Sequence, residues 1–538
     1  MFALRPGIAL LLAIAAALAS ACATGRAAEV EANGEYASGV VFHDRNHNGA
    51  RDAFDFGVRG VAVSNGRDVT LTDWRGRYRI AVGDDTIVFV IKPEGWATPI
   101  DDNGLPRFYY IHKPQGSPTD LAYPGVSPTG PLPDQIDFPL YRQREPRSFR
   151  VILFADTQPY SLDELNMLNR DVIAEVIGTE AAFGMTLGDL VGDDLALFEP
   201  LNESIGEIGL PWYNVIGNHD INFHAKTDRD SDESFERVYG PSTYAFSYGK
   251  VHFIVLDDIV YEGPRDETGK RGRYHAGISE DQLTFIGNYL ETVPRDRLIV
   301  LTMHIPYKSA PDAIVGQGAL FEILEDRPHT LSLAGHTHYQ DNRFHGPDGG
   351  FDGPEPHHQL INATASGSWW LGADDEVGIP HTTMRAGAPN GYSFIQFDGH
   401  RYSILFKAAR RSADHQMNIF TADATTSANA AETEVVVNVF SGSEQTRVEM
   451  RLSESSDWTP LQREAREDPF YLAAVERDRQ RNPRPPFFLP SAIKSPHLWV
   501  GALPANPLPG TYTIEVRATD MYGQVFLAYH IIRIEPAP

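Results

Sequence analysis

The run Val151-Ile152-Leu153-Phe154 ends in Ala155-Asp156-Thr157-Gln158, so a carboxylate and an amide follow directly on a stretch apolar enough to be a buried strand. Four further motifs also close apolar runs: Gly188-Asp189, Gly217-Asn218-His219-Asp220, Met303-His304 and Gly335-His336-Thr337-His338. Strand ends of an α/β sheet share one rim, the place where such folds bind ligands. One strand-end aspartate is explained by turn chemistry, and one buried histidine by packing. Oxygen and nitrogen donors on five successive strand ends are not. Glycine directly before Asp189, Asn218 and His336 suits a tight turn with close backbone approach.

Donors of this kind suit a pair of divalent cations about 3.5 to 4 Å apart. A carboxylate can bridge two cations through its two oxygens, and Asp189 is assigned that role. One ion then takes Asp156, Gln158, Asp189 and His338, and the other takes Asp189, Asn218, His304 and His336. Such a pair supplies hydroxide at neutral pH and binds the oxygens of a phosphoryl centre. Mn, Fe, Mg and Zn all fit the donor set. The amide oxygen of Gln158, standing where an imidazole would favour zinc, shifts the preference toward Mn.

These motifs need a scaffold, and the 538 residues are enough for two or three domains. Fully apolar runs at 149–154, 212–216, 251–256, 298–303 and 330–334 alternate with segments of helical pattern, the texture of a layered α/β domain with buried strands. Capping boxes at Ser161-Leu162-Asp163-Glu164 and Ser279-Glu280-Asp281-Gln282 start two of the helices. Short β-type runs separated by Gly, Pro, Asn and Asp predict a β-sandwich-like domain over 30–145 and a β-sandwich over 433–538. The α/β domain is placed at 146–412, and the polar, small-residue stretch 413–432 reads as a linker.

Residues 1–21, with Arg5, the apolar run Ile8–Leu18 and Ala19-Ser20-Ala21, read as an export signal peptide. The run is shorter than the roughly 20 apolar residues of a membrane span. Cys22 is the only cysteine, which excludes an intramolecular disulfide. Leu18-Ala19-Ser20-Ala21-Cys22 resembles a bacterial lipobox, with Ala19 where Leu is usual. That resemblance implies a lipidated Cys22 and membrane attachment in the periplasm. The alternative is cleavage after an A-x-A site, leaving a soluble periplasmic or secreted protein.

The order D-x-Q, GD, GNHD, H, GHTH over roughly 148–410 resembles the calcineurin-like metallophosphoesterases. The resemblance implies a four-layer α/β/β/α core and the ligand roles given above. It adds His219 as the group that stabilises or protonates the leaving oxygen, a general acid. In several branches an Asp three residues past the bridging Asp orients this histidine; here Asp193 lies four residues on. Ala365-Ser366-Gly367-Ser368-Trp369-Trp370, Gly378-Ile379-Pro380 and Gly387-Ala388-Pro389-Asn390-Gly391-Tyr392 are similar to an exported bacterial subgroup with accessory β-domains on both sides. This makes Trp369, Trp370, Asn390 and Tyr392 candidates for substrate contact, with core packing as the alternative for the tryptophans. Ala386 stands where that subgroup often has Asp. The D-x-Q motif is shared with Mn-dependent diphosphatases, which favours a diphosphate or diester of a nucleotide-like or lipid-linked molecule among phosphorylated small-molecule substrates.

A second metal template, Asp44-x-Asn46-x-Asn48-Gly49-x-x-Asp52-x-x-Asp55, has the donor spacing of a calcium loop with Asp at its last position. Calcium there would be structural; the alternative is an Asx-rich turn. The formal charge of −26 disfavours nucleic acid as partner, since phosphate binding needs clustered Lys and Arg. The expected function is therefore an extracytoplasmic phosphoesterase. The rival is a non-catalytic surface or carbohydrate-binding protein on a relic fold. No feature of the sequence speaks to oligomeric state.

Overall fold

The computed structural model describes residues 34–266, 271–308, 312–453 and 457–537. The signal peptide and Cys22 lie outside them. Among the described residues, no helix is long and apolar enough to cross a membrane.

Two sheets form the centre of the chain. The first runs Trp212–Val215, Phe183–Leu187, Ser148–Phe154, Gly391–Asp398, Arg401–Ala408. Its first three strands are parallel and the last two join antiparallel. The second runs Tyr244–Tyr248, Val251–Val255, Leu298–Thr302, Thr330–Ala334, His357–Ile361, Asp341–His345, with four parallel strands inside two antiparallel edges.

Alternate side chains of both sheets meet face to face. Phe183 and Phe253 pack edge to face at 5.3 Å, and Val151, Leu153, Met185, Val255 and Val300 fill the same layer. Ile152 and Phe154 point the other way, under Leu165, Leu168, Val172 and the helix Phe198–Gly206. The helices Glu280–Glu291 and Gln317–Leu324 cover the second sheet through Phe285, Ile286, Leu320 and Phe321. The core is thus α/β/β/α, and strands buried on both faces explain the continuous apolar runs.

The strand Phe183–Leu187 does not read as such a run because Gly184 and Thr186 interrupt it. Both serve the neighbouring Trp212. A Cβ on Gly184 would sit 1.9 Å from the indole, and Thr186 Oγ1 accepts the indole N–H at 2.9 Å.

The two helix starts differ. Ser279 and Gln282 form the full reciprocal box. Ser161 Oγ accepts from Glu164 N, but the Glu164 carboxylate accepts from Tyr160 N rather than returning to Ser161. The helix Leu162–Leu168 then widens into a π turn at Asn169–Ile173.

The N-terminal strands form two small sheets whose apolar side chains merge with the central core, as in the Phe89–Phe285 contact at 5.8 Å. Two C-terminal sheets enclose a separate core around Val437, Met450, Trp499 and Val516. The stretch 413–432 is not a linker. Met417–Phe420 pairs with Glu434–Val439, and Ala424–Thr426 pairs with Val525–Glu535, so it supplies a strand to each C-terminal sheet. Its polar composition reflects edge strands that are largely half-exposed.

Candidate metal centre

The five strand ends converge on one rim. His304 Nε2 lies 3.2 Å from Asp189 Oδ2, 3.1 Å from Asn218 Oδ1 and 3.2 Å from His336 Nδ1. His338 Nε2 lies 3.5 Å from Asp156 Oδ1. The other ring nitrogens are committed: His304 Nδ1 sits 2.9 Å from the Leu187 carbonyl and His338 Nδ1 sits 2.6 Å from the Gly367 carbonyl. Each contact fixes the tautomer that turns Nε2 inward. Gln158 contributes a buried amide oxygen with no partner, while its nitrogen donates to Tyr160 Oη at 3.3 Å.

Backbone conformation follows the donors. Asp156, Gln158, Asp189, His336 and His338 all have positive φ, between 41° and 72°. Non-glycine residues rarely adopt this region, and a cluster of them marks a functional rim. The preceding glycines leave no room for a side chain. A Cβ on Gly188 would meet the His304 ring at 2.4 Å, one on Gly217 the Asp189 backbone nitrogen at 2.1 Å, and one on Gly335 Asp156 Oδ2 at 2.6 Å.

Electrostatics separate the buried groups. Burial pushes the Asp156 carboxyl up to about 8, against the pull of His304. Burial also opposes charge on Asp189, yet His304 and His219 hold it below the usual carboxylate range. Burial and the neighbouring His304 push His336 down to about 3, and burial brings His338 to about 4. Both are therefore neutral at neutral pH, the form in which imidazole binds a metal. Burial would lower His219, but Asp189 and Asp193 raise it to about 9.

His219 and Asp193 meet at 2.5 Å through Nδ1 and Oδ1. The extra residue between Asp189 and Asp193 is absorbed by a left-handed turn, φ 69° at Asp193, while Asp220 accepts the N–H groups of Leu190, Val191 and Gly217.

The structure also separates the candidate substrate residues. Trp369 stacks on the His338 ring at 3.9 Å and is half-buried at the rim. Trp370 is not a substrate wall: it is buried and its indole N–H donates to the Thr157 carbonyl at 3.2 Å. Asn390 is engaged by Asp171 and the Ala365 carbonyl, and Tyr392 is buried against Phe154. The contacts of these three are internal to the fold.

In the N-terminal loop, Asp44 accepts from Gly49 N at 2.7 Å and Asn48 N at 3.3 Å, Asp55 accepts from Arg45 N and Asp52 N, Asn48 Oδ1 accepts from Ala50 N, and Asn46 donates to Asp52. This is the bonding of an Asx-rich turn.

Two supporting residues lie outside the five strand-end motifs. Asp258 is fully buried and accepts from His304 N at 3.2 Å and Ile305 N at 2.8 Å. It ends the apolar run 251–256, so the same strand-end pattern could have found it. Tyr160 sits edge-on to His219 at 6.1 Å and is 40% exposed, a position that no spacing rule indicates.

The donor set suits divalent cations. Asp189, His304 and His336 place one ligand atom each within 4.8 Å of one another, and the Gln158 oxygen, buried and without a partner among the described residues, is a donor of the type a cation takes. Asp156, Gln158 and His338 could hold one ion, Asn218, His304 and His336 a second, and Asp189 both.

Three family models match in chain order: "N terminal of Calcineurin-like phosphoesterase" over residues 45–124, "Calcineurin-like phosphoesterase" over 149–340, and "C terminal of Calcineurin-like phosphoesterase" over 359–526. Two solved structures are distantly similar. A purple acid phosphatase from yellow lupin (Lupinus luteus) seeds shares 13% identity over 65% of this chain and 66% of its own, with a TM-score of 0.35. The chain thus spans just under two thirds of that protein. TT1561 of Thermus thermophilus shares 11% identity over 48% of this chain and 97% of its own, with a TM-score of 0.28. No curated protein matches.

Proposed function

The chain belongs to the calcineurin-like phosphoesterases, N-terminal and C-terminal domains included, and is a metal-dependent phosphoester hydrolase; from this premise we propose that it is an extracytoplasmic enzyme cleaving a phosphate diester or diphosphate. When bound, a pair of divalent ions supplies hydroxide at neutral pH and charge compensation at phosphorus. The chain's own residues do the rest. Asp193 holds Nδ1 of His219, which leaves Nε2 as the nitrogen that gives a proton to the departing oxygen. Asp189 Oδ1 accepts from His219 N at 2.9 Å, so the acid is tied to the rim it serves. Asp258 and Asp220 hold the loops that carry His304 and Asn218.

The convergence of all seven strand-end donors, with the Gln158 oxygen buried and unpartnered, carries this reading. Tyr160 and Trp369 supply apolar faces beside His219 and His338, which supports a substrate with a flat or apolar leaving group. The preference for manganese and for a nucleotide-like or lipid-linked substrate rests on Gln158 and those rings. Export and attachment through Cys22 rest on residues 1–22, and belong to the proposal if a Cys22→Ser variant leaves the membrane fraction.

The test is a panel of aryl phosphate monoester, diester and nucleoside diphosphate ester, assayed with Mn²⁺. Parent protein is expected to hydrolyse at least the diester, with Asp189→Asn and His219→Ala each lowering kcat/KM by about 100-fold or more. Equal turnover by parent and both variants removes the site assignment. Turnover of the monoester alone removes the substrate class.

A further inference from the structure

Outside the strand-end rim, on the N-terminal strands, the chain gathers a second set of ligand-type groups. The strand Glu35–His43 pairs with Arg77–Val82 so that Glu35 lies opposite Val82, and the strand Thr86–Val90 pairs with Tyr109–His112 so that Thr86 lies opposite His112. The turn that joins Val82 to Thr86 carries Asp84, and Gly83 N donating to Thr86 Oγ1 at 3.0 Å closes it. Register alone therefore brings Glu35, Asp84 and His112 to one corner. One ligand atom from each lies within 4.8 Å of the other two.

The histidine is what distinguishes this corner from an ordinary acidic cluster. His112 is 1% exposed, yet among the described residues neither ring nitrogen has a hydrogen-bond partner. A neutral imidazole carries one N–H and one lone pair, so either tautomer leaves a buried donor and a buried acceptor idle, which native structures avoid. Glu35 and Asp84 are exposed, and neither side chain makes a hydrogen bond or ion pair among the described residues. The adjacent Asp85 turns away, to Lys113 at 2.8 Å and Arg229 at 2.6 Å. Two like charges face a lone pair that has nothing to bind.

We infer that Glu35, Asp84 and His112 form a mononuclear site for a divalent transition ion of the zinc class, separate from the strand-end pair. Imidazole with two carboxylates is a borderline donor set that suits zinc better than calcium, which prefers oxygen alone. Ligands to zinc stand about 2.0 to 2.2 Å from the ion. The two carboxylate arms are exposed and have rotamer freedom to approach the ion, and water on the solvent side would complete its coordination. Such an ion would tie the first strand to the turn and to the strand Tyr109–His112, clamping both N-terminal sheets at one end.

The test is metal content of chelator-stripped full-length protein after dialysis against buffered Zn²⁺. Parent is expected to hold one zinc equivalent more than His112→Gln and more than Asp84→Asn, while all three hydrolyse an aryl phosphate ester equally when reloaded. Asp84 is exposed, so Asp84→Asn reports on the site even where His112→Gln fails to fold. An Asp189→Asn background separates the two centres, since the extra equivalent is expected to persist there and to vanish on adding Asp84→Asn. Equal zinc content in parent, His112→Gln and Asp84→Asn overturns the inference.

Discussion

The amide of Gln158 is divided between two tasks: its nitrogen donates to Tyr160 Oη, and its oxygen is buried facing the rim with no partner. A neutral oxygen donor at this position favours manganese or magnesium over zinc. Gln158→His is therefore expected to keep two ions in the strand-end centre while raising the zinc-to-manganese ratio severalfold, measured by elemental analysis after growth in both metals. An unchanged ratio removes Gln158 from the ligand set. Most of the strand-end side chains were legible in sequence because they follow apolar runs of strand length; Asp189, behind the interrupted strand Phe183–Leu187, was legible through its Gly-Asp turn. Trp370, Asn390 and Tyr392 were not, because Thr157, Asp171 and Phe154, which they contact, each lie more than 200 positions away along the chain.

Loops at the ends of strands carry the donors, and their geometry depends on glycines whose missing side chains are occupied by the site itself. Gly217 is the sharpest case. Its φ is not in the left-handed region, so alanine is allowed by the backbone, but a Cβ there would meet Asp189 Oδ1 at 2.3 Å as well as the Asp189 nitrogen. Gly217→Ala is expected to displace Asp189 and to lower kcat/KM by about 100-fold, as a misplacement of about 1 Å does. Wild-type turnover with full metal content in this variant shows that the loop yields freely. Sequence reading located these turns through the glycines and the two helices through their apolar spacing. It did not see the π turn at Asn169–Ile173, in which Asp171 is buried against Asn390 and Arg410, since nothing local to 169–173 encodes either partner. The strand Phe183–Leu187 was hidden for the same reason: its glycine and threonine answer to Trp212 on the next strand.

Across the whole molecule, both flanking parts reach toward the centre. On the C-terminal side, the helix Pro469–Arg479 places Tyr471 Oη 3.4 Å from Ser368 Oγ, next to Gly367, whose carbonyl orients His338. On the N-terminal side, Lys113 contacts Asp85 and Glu233, Arg229 contacts Asp85, and Ser117 Oγ donates to Glu233 Oε2 at 2.5 Å. Glu233 opens the helix Glu233–Tyr239, so this cluster pins the N-terminal sheets to the segment that follows the GNHD loop. Burial works against the Asp85 charge, but Lys113 and Arg229 hold its pKa below the usual carboxylate range. A depressed carboxylate contributes stability that is present above its unfolded pKa, about 3.9, and is lost as pH falls through the lower folded value. Asp85→Asn is therefore expected to cost about 2 kcal/mol at pH 7, with the gap from the parent closing as the pH drops below about 4. Urea unfolding of both proteins across that range reads it directly. A gap that stays constant with pH would show that the asparagine disturbs packing at this junction rather than removing a charge.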